Sequence, residues 1–130
     1  MKNKRRDGVR VKGLDGYHNI LPYIMPKRTE AEVSMTEQFD VTDLVKYMKE
    51  RNEEEGVNIK IFHSIVTAVA RTVYHRPRLN WFISGRFYYE RPDITFSFVV
   101  KQKFEDTADE TLMFMKVEPE MNIDSISKLI

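Results

Sequence analysis

Apolar positions recur at helical spacing in three stretches of the chain. Val41, Leu44, Val45 and Met48 follow the order i, i+3, i+4, i+7 and predict an amphipathic helix. Asp40 or Thr42 can accept a hydrogen bond from the free amides of its first turn. Glu53, Glu54, Glu55 and Gly56 end it, and Gly56 is able to take the left-handed conformation of a helix stop. Ile61, Phe62, Ile65, Val66, Val69 and Val73 form a wider stripe with Ala68 and Ala70 beside it. That breadth predicts a long helix buried against a sheet, and Pro77 halts it. Ile123, Ile126, Leu129 and Ile130 make a third helix from Asn122 or Asp124. No glycine, proline or polar stop follows it, so the chain is expected to end inside a pattern.

Alternating patterns lie between and before these helices. EVSMTEQF, residues 32–39, carries Val33, Met35 and Phe39 and predicts a half-exposed strand. Asn80 to Ser84 and Arg86 to Glu90 predict a hairpin turning on Ser84-Gly85. Ile94 to Lys103 reads as a long strand with Ile94, Phe96, Phe98 and Val100 on one face. Thr95, Ser97 and Val99 lie on the other, and the strand is expected to be covered on both sides. Such a sheet would leave a large apolar surface and an unpaired edge in an isolated chain, which predicts self-association. Phe104 to Glu110 is an acidic loop, and Thr111 to Val117 a fourth strand. The first thirty residues hold three of the five glycines and two of the five prolines. They predict an arm with little regular structure beyond a short helix near Asp15 to Leu21.

Composition narrows the class. The chain has 130 residues, 42% hydrophobic and 32% charged, which fits one globular domain. No apolar run approaches the roughly 18–20 residues of a membrane-spanning helix, and MKNKRRDGVR lacks the apolar core of a signal peptide. There are no cysteines, so disulfides, thiolate metal sites and a cysteine nucleophile are excluded, and a cytoplasmic setting fits. A net charge of +1 argues against nucleic acid as a partner. Lys2, Lys4, Arg5, Arg6, Arg10 and Lys12 cluster near the start, without interleaved aromatics, as a solvated tail does.

Residues 39–100, FDVTDLVKYMKERNEEEGVNIKIFHSIVTAVARTVYHRPRLNWFISGRFYYERPDITFSFVV, carry a resemblance. DVT leads into the first amphipathic helix. The long apolar helix closes on Pro77-Arg78-Leu79-Asn80. A hairpin turns on Gly85 and is followed by the long strand from Asp93. In this order the signatures resemble the first half of the chloramphenicol acetyltransferase-like fold. Chloramphenicol acetyltransferase and the catalytic domain of the 2-oxo acid dehydrogenase acyltransferases share that fold. With no lipoyl domain upstream, the chain looks more like the small stand-alone acetyltransferases.

The resemblance implies an α+β class, a two-layer α/β sandwich in which helices pack on a mixed sheet, here incomplete at the C-terminus. Residues 1–30 would be an arm and 31–130 the N-terminal half of the acyltransferase domain. The implied reaction takes an acyl group from a coenzyme A thioester to a thiol or hydroxyl acceptor, such as a small molecule or a lipoyl group. The implied assembly is a homotrimer or higher, with no metal and no membrane or nucleic-acid partner. Arg28 would match an arginine that braces the catalytic loop. Phe82 and Tyr88, in a cluster with Phe87 and Tyr89, would line the acceptor pocket, although hairpin aromatics more often pack across strands.

One part of the family pattern is missing. Its general base lies in a His-x-x-x-Asp-Gly motif, whereas the three histidines here read HNILP, HSIVT and HRPRL at His18, His63 and His75. His18 is expected to be solvated, His63 to cap or half-bury at its helix start, and His75 to suit the helix C-terminus. Losing both the base and the hydroxyl that holds the oxyanion should leave this chain alone with little turnover. The rival reading is a non-catalytic interaction or regulatory module with the same fold. A nucleic-acid-binding domain using the basic arm is a third.

Overall fold

The computed structural model describes residues 5–101 and 110–130. In chain order the elements are β1 (Val9–Arg10), α1 (Gly16–Ile24), α2 (Arg28–Ala31), α3 (Thr42–Arg51) and α4 (Ile61–His75). A 3-10 turn at Pro77–Asn80 follows. Then come β2 (Trp81–Ser84), β3 (Phe87–Glu90), β4 (Ile94–Lys101), β5 (Glu110–Val117) and α5 (Ile123–Leu129). The fold is mixed α+β with two small antiparallel sheets, one ordered β1-β3-β2 and the other β4-β5.

The core lies where α4 and α5 cover one face of the β4–β5 ribbon. Val66, Ala70, Met115, Val117 and Ile126 are buried together, with Ile94, Phe96 and Met121 against them. Strand alternation explains the ribbon's inner face: Ile94, Phe96, Phe98 and Val100 are half-buried while Thr95, Ser97, Val99 and Lys101 are exposed. Asn122 starts α5 by accepting from the Ser125 amide at 2.9 Å. Arg51 at the end of α3 reaches Asp124 at 3.0 Å and also pairs with Glu54. The Asp124 bond, then the Glu54 bond, holds its guanidinium more basic than usual. Between α3 and α4, Asn52 clasps Ile59 in both directions, accepting from its amide at 2.7 Å and donating to its carbonyl at 2.9 Å. Gly56 has φ +79°, which that turn requires.

Several sequence expectations need correction. Residues 32–39 join no sheet: Val33 is 93% exposed, Met35 81% and Phe39 81%. Alternation gives a segment a strand's side-chain pattern, but a strand also needs a neighbour for its backbone groups, and none of the described strands lies alongside. β4 is covered on one side only. Val99, Leu112 and Phe114 remain exposed on the outer face because both helices sit on the inner one. The broad stripe of α4 is likewise buried on one flank, at His63, Val66 and Ala70, leaving Ile61, Ile65 and Val69 exposed. The first thirty residues carry more structure than an arm: β1 pairs with β3, and α1 runs to Ile24. The expected acidic loop at 104–109 and the end of the third strand at 102–103 lie outside the described residues.

Candidate functional site

The hairpin positions the site. Gly85 (φ +55°) and Arg86 (φ +66°) both take positive φ, as the two central residues of a type I′ turn do. This fixes the register Ser84↔Phe87, Ile83↔Tyr88, Phe82↔Tyr89 and Trp81↔Glu90. Alternation then sends Trp81, Ile83 and Tyr88 to one face and Phe82 and Tyr89 to the other. On the first face Trp81 and Tyr88 meet edge to face at 6.4 Å. On the second, Phe82 stacks on Tyr89 at 5.4 Å, and the guanidinium groups of Arg5 and Arg91 lie over the Phe82 ring. Gly8 passes so close to this stack that an added Cβ would lie 2.8 Å from Phe82.

Beside the first face, α1 and the turn into α2 enclose a concavity of about 610 Å³, within the range of small-molecule sites. Its lining includes His18, Lys27, Arg28, Arg78, Trp81 and Tyr88, with Phe82 and Ile83 at the hairpin edge. The structure therefore brings Arg28, Phe82 and Tyr88 to one concavity, from positions far apart in the chain. Their roles differ. Arg28 is exposed and its Nε donates to Glu32 at 2.7 Å, while the Phe82 ring is committed to the opposite stack. Burial pushes the Tyr88 phenol above its usual range, with the Asp15 carboxylate adding to the effect.

Sequence reasoning missed Trp81, Arg78, Lys27 and His18. Trp81 was accessible to it, since it alternates with Ile83 and shares the face of Tyr88. The other three come from loops and a separate helix, which no local pattern aims. Arg78 lies 5.7 Å from the Trp81 ring. The indole Nε1 of Trp81 is shielded from solvent and has no hydrogen-bond acceptor among the described residues.

The histidines divide as follows. His63 is 5% exposed, and its Nδ1 accepts from the Lys60 amide at 3.1 Å, closing the first turn of α4. Burial, and secondarily Lys60, lowers its pKa. His75 ends α4 in the open. His18 lies in the short helix expected near Asp15, which is α1, but is paired rather than simply solvated: its Nδ1 lies 2.8 Å from Asp15, whose side chain also accepts from the His18 amide. That amide, then the ring, holds the Asp15 carboxyl below its usual range.

A second concavity of about 220 Å³ lies between the end of α4 and the start of β4. Lys116 there lies 2.8 Å from Asp93 and 3.3 Å from Glu118. Among the described residues no group of three or more His, Cys, Asp or Glu could hold a metal ion. Nor is any described helix long and apolar enough to cross a membrane. No protein-family model, curated protein or solved structure matches this chain.

Proposed function

We propose that the chain is the N-terminal half of an acyltransferase domain with the chloramphenicol acetyltransferase-like fold. One observation carries this reading. The Asn80 side-chain Nδ2 donates to the Asp93 backbone carbonyl at 3.0 Å, so the Pro77–Asn80 turn is fastened to the head of β4. Two of the three signatures of the resemblance, the buried helix with its closing turn and the hairpin followed by the long strand, are thus tied to each other. Arg28 and Tyr88 on a shared concavity add support, as one wall of an acceptor pocket.

In the proposed reaction a histidine base takes the proton of an acceptor thiol or hydroxyl. The freed lone pair attacks the thioester carbonyl of an acyl-coenzyme A. The new acyl bond forms, the carbon–sulfur bond to coenzyme A breaks, and the departing thiolate recovers the proton from the histidine. In this chain His63 is buried and its Nδ1 is occupied, and no histidine precedes Asp-Gly at the family spacing. In this proposal the base is the histidine of a His-x-x-x-Asp-Gly segment, which these residues do not contain. Self-association into a trimer or larger assembly belongs to the same proposal, supported by the exposed apolar residues of α4 and of the outer β4–β5 face.

Thiol release from acetyl-coenzyme A, with a small dithiol as acceptor, tests the proposal. The isolated chain is expected to stay at the hydrolysis background. The product of the full open reading frame is expected to exceed it. A full frame that lacks His-x-x-x-Asp-Gly and stays at background overturns the acyltransferase and leaves a non-catalytic module with this fold.

A further inference from the structure

The concavity beside the hairpin combines a flat apolar wall with two cationic side chains, Lys27 and Arg78, that make no ion pair among the described residues, although the Glu30 carboxylate accepts from the Lys27 backbone amide at 3.0 Å. Trp81, Tyr88 and Ile83 supply the wall. Lys27, Arg28 and Arg78 stand on the rim with one carboxylate, Glu32, which is engaged by Arg28. Among the described residues Lys27 and Arg78 have no carboxylate partner, and His18 already has Asp15. In the smaller concavity near Asp93 the one lysine, Lys116, lies between two carboxylates, whereas Lys27 here has no ion pair among the described residues. Placing unmatched positive charges beside a half-buried aromatic surface favours an anion attached to a planar apolar body, since the ring contact and the charge contacts can form together.

We infer that this concavity binds small aromatic carboxylates, with the ring against Trp81 and Tyr88 and the carboxylate between Lys27 and Arg78. The inference rests on the acceptor-pocket reading above and narrows it, because the acyl acceptor would then be an acidic aromatic molecule rather than a neutral one. Arg28 adds little, since Glu32 holds it. Lys27 and Arg78 are both exposed, so replacing either removes charge without disturbing the core.

Trp81 is the chain's single tryptophan, so its fluorescence reports on this wall alone. The test titrates the purified chain with 3-phenylpropionate and with its neutral isostere, 3-phenylpropanamide. The acid is expected to change Trp81 emission saturably, and to bind at least about tenfold tighter than the amide, as loss of a charge-assisted bond predicts. Lys27→Gln and Arg78→Gln should each weaken the acid by about tenfold and leave the amide unchanged. Added salt should weaken the acid as well. Equal binding of acid and amide, no saturable change with the acid, or unaltered acid binding in both variants overturns the inference. Because the readout is binding, it separates from the transfer reaction. Acid binding with an inactive full frame sinks the acyltransferase alone, whereas an active full frame with no acid preference sinks this inference alone.

Discussion

Truncating Ile126 to alanine probes whether α5 closes the core. Among the described residues Ile126 is the one fully buried large side chain, at 0% exposure, and it packs among Val66, Ala70, Met115 and Val117. Ile126→Ala removes three carbons. At about 0.8 kcal/mol per buried methylene the transfer part of the loss is about 2.4 kcal/mol. The cavity left behind raises the total to about 3–4 kcal/mol, within the range for such truncations. Against a typical domain stability of about 5–15 kcal/mol this is a large fraction. The melting temperature should fall by about 9–20 °C, taking about 3–5 °C per kcal/mol for a domain of this size. Urea unfolding followed by circular dichroism should show the midpoint moving by about 2 M at unchanged slope. Val33→Ala is the matched control: Val33 is 93% exposed, and its loss should change stability by less than about 0.5 kcal/mol. If Ile126→Ala costs under about 1 kcal/mol, or if the two variants cost the same, the core described here is wrong.

Three further outcomes are expected. Gly8→Ala would push a Cβ to 2.8 Å from Phe82 and 3.0 Å from the Glu90 carbonyl. It should cost about 1–3 kcal/mol and speed hydrogen exchange at Val11, whose amide donates to the Tyr88 carbonyl, whereas an unchanged exchange rate would refute the packing of β1 on the hairpin. His63 has a lowered folded pKa, so the unfolded chain binds its proton more readily. Its contribution is complete above the ordinary value of about 6.5 and is lost as pH falls through that value toward the lowered one. Urea midpoints should therefore decline below about pH 6.5 in the native chain, and this part of the decline should be missing in His63→Gln. Finally, the chain exposes 10947 Å² at a mass of 15.5 kDa. A compact monomer of that mass exposes about 7,200 Å². The surplus of about 3,700 Å² per chain is more than the roughly 1,000–2,500 Å² per partner that permanent interfaces cover, so light scattering should report more than one chain per particle, and a monomer at all concentrations would refute this.

Local chemistry settled much of the fold. The helical spacing from Ile61 to Val73, stopped by Pro77, is α4, and Asn122 caps α5. The alternation from Ile94 gives β4 its inner face, and Gly85 marks the hairpin. These features depend on neighbours a few residues away, which a linear pattern contains. Tertiary structure alone decided which apolar residues count as core. Ile65 and Val66 are adjacent and equally apolar, yet only Val66 is buried, because the β4–β5 ribbon sits on one flank of α4. It also decided that residues 32–39, patterned like a strand, pair with none of the described strands, since pairing needs a backbone edge supplied from elsewhere. The candidate site divides along the same line. Trp81, Ile83 and Tyr88 share a face by strand period, whereas Lys27, Arg28 and His18 reach them only because the first helices fold back over the hairpin. Spacing along a chain fixes which side chains share a surface, but the path of the backbone fixes which surfaces meet.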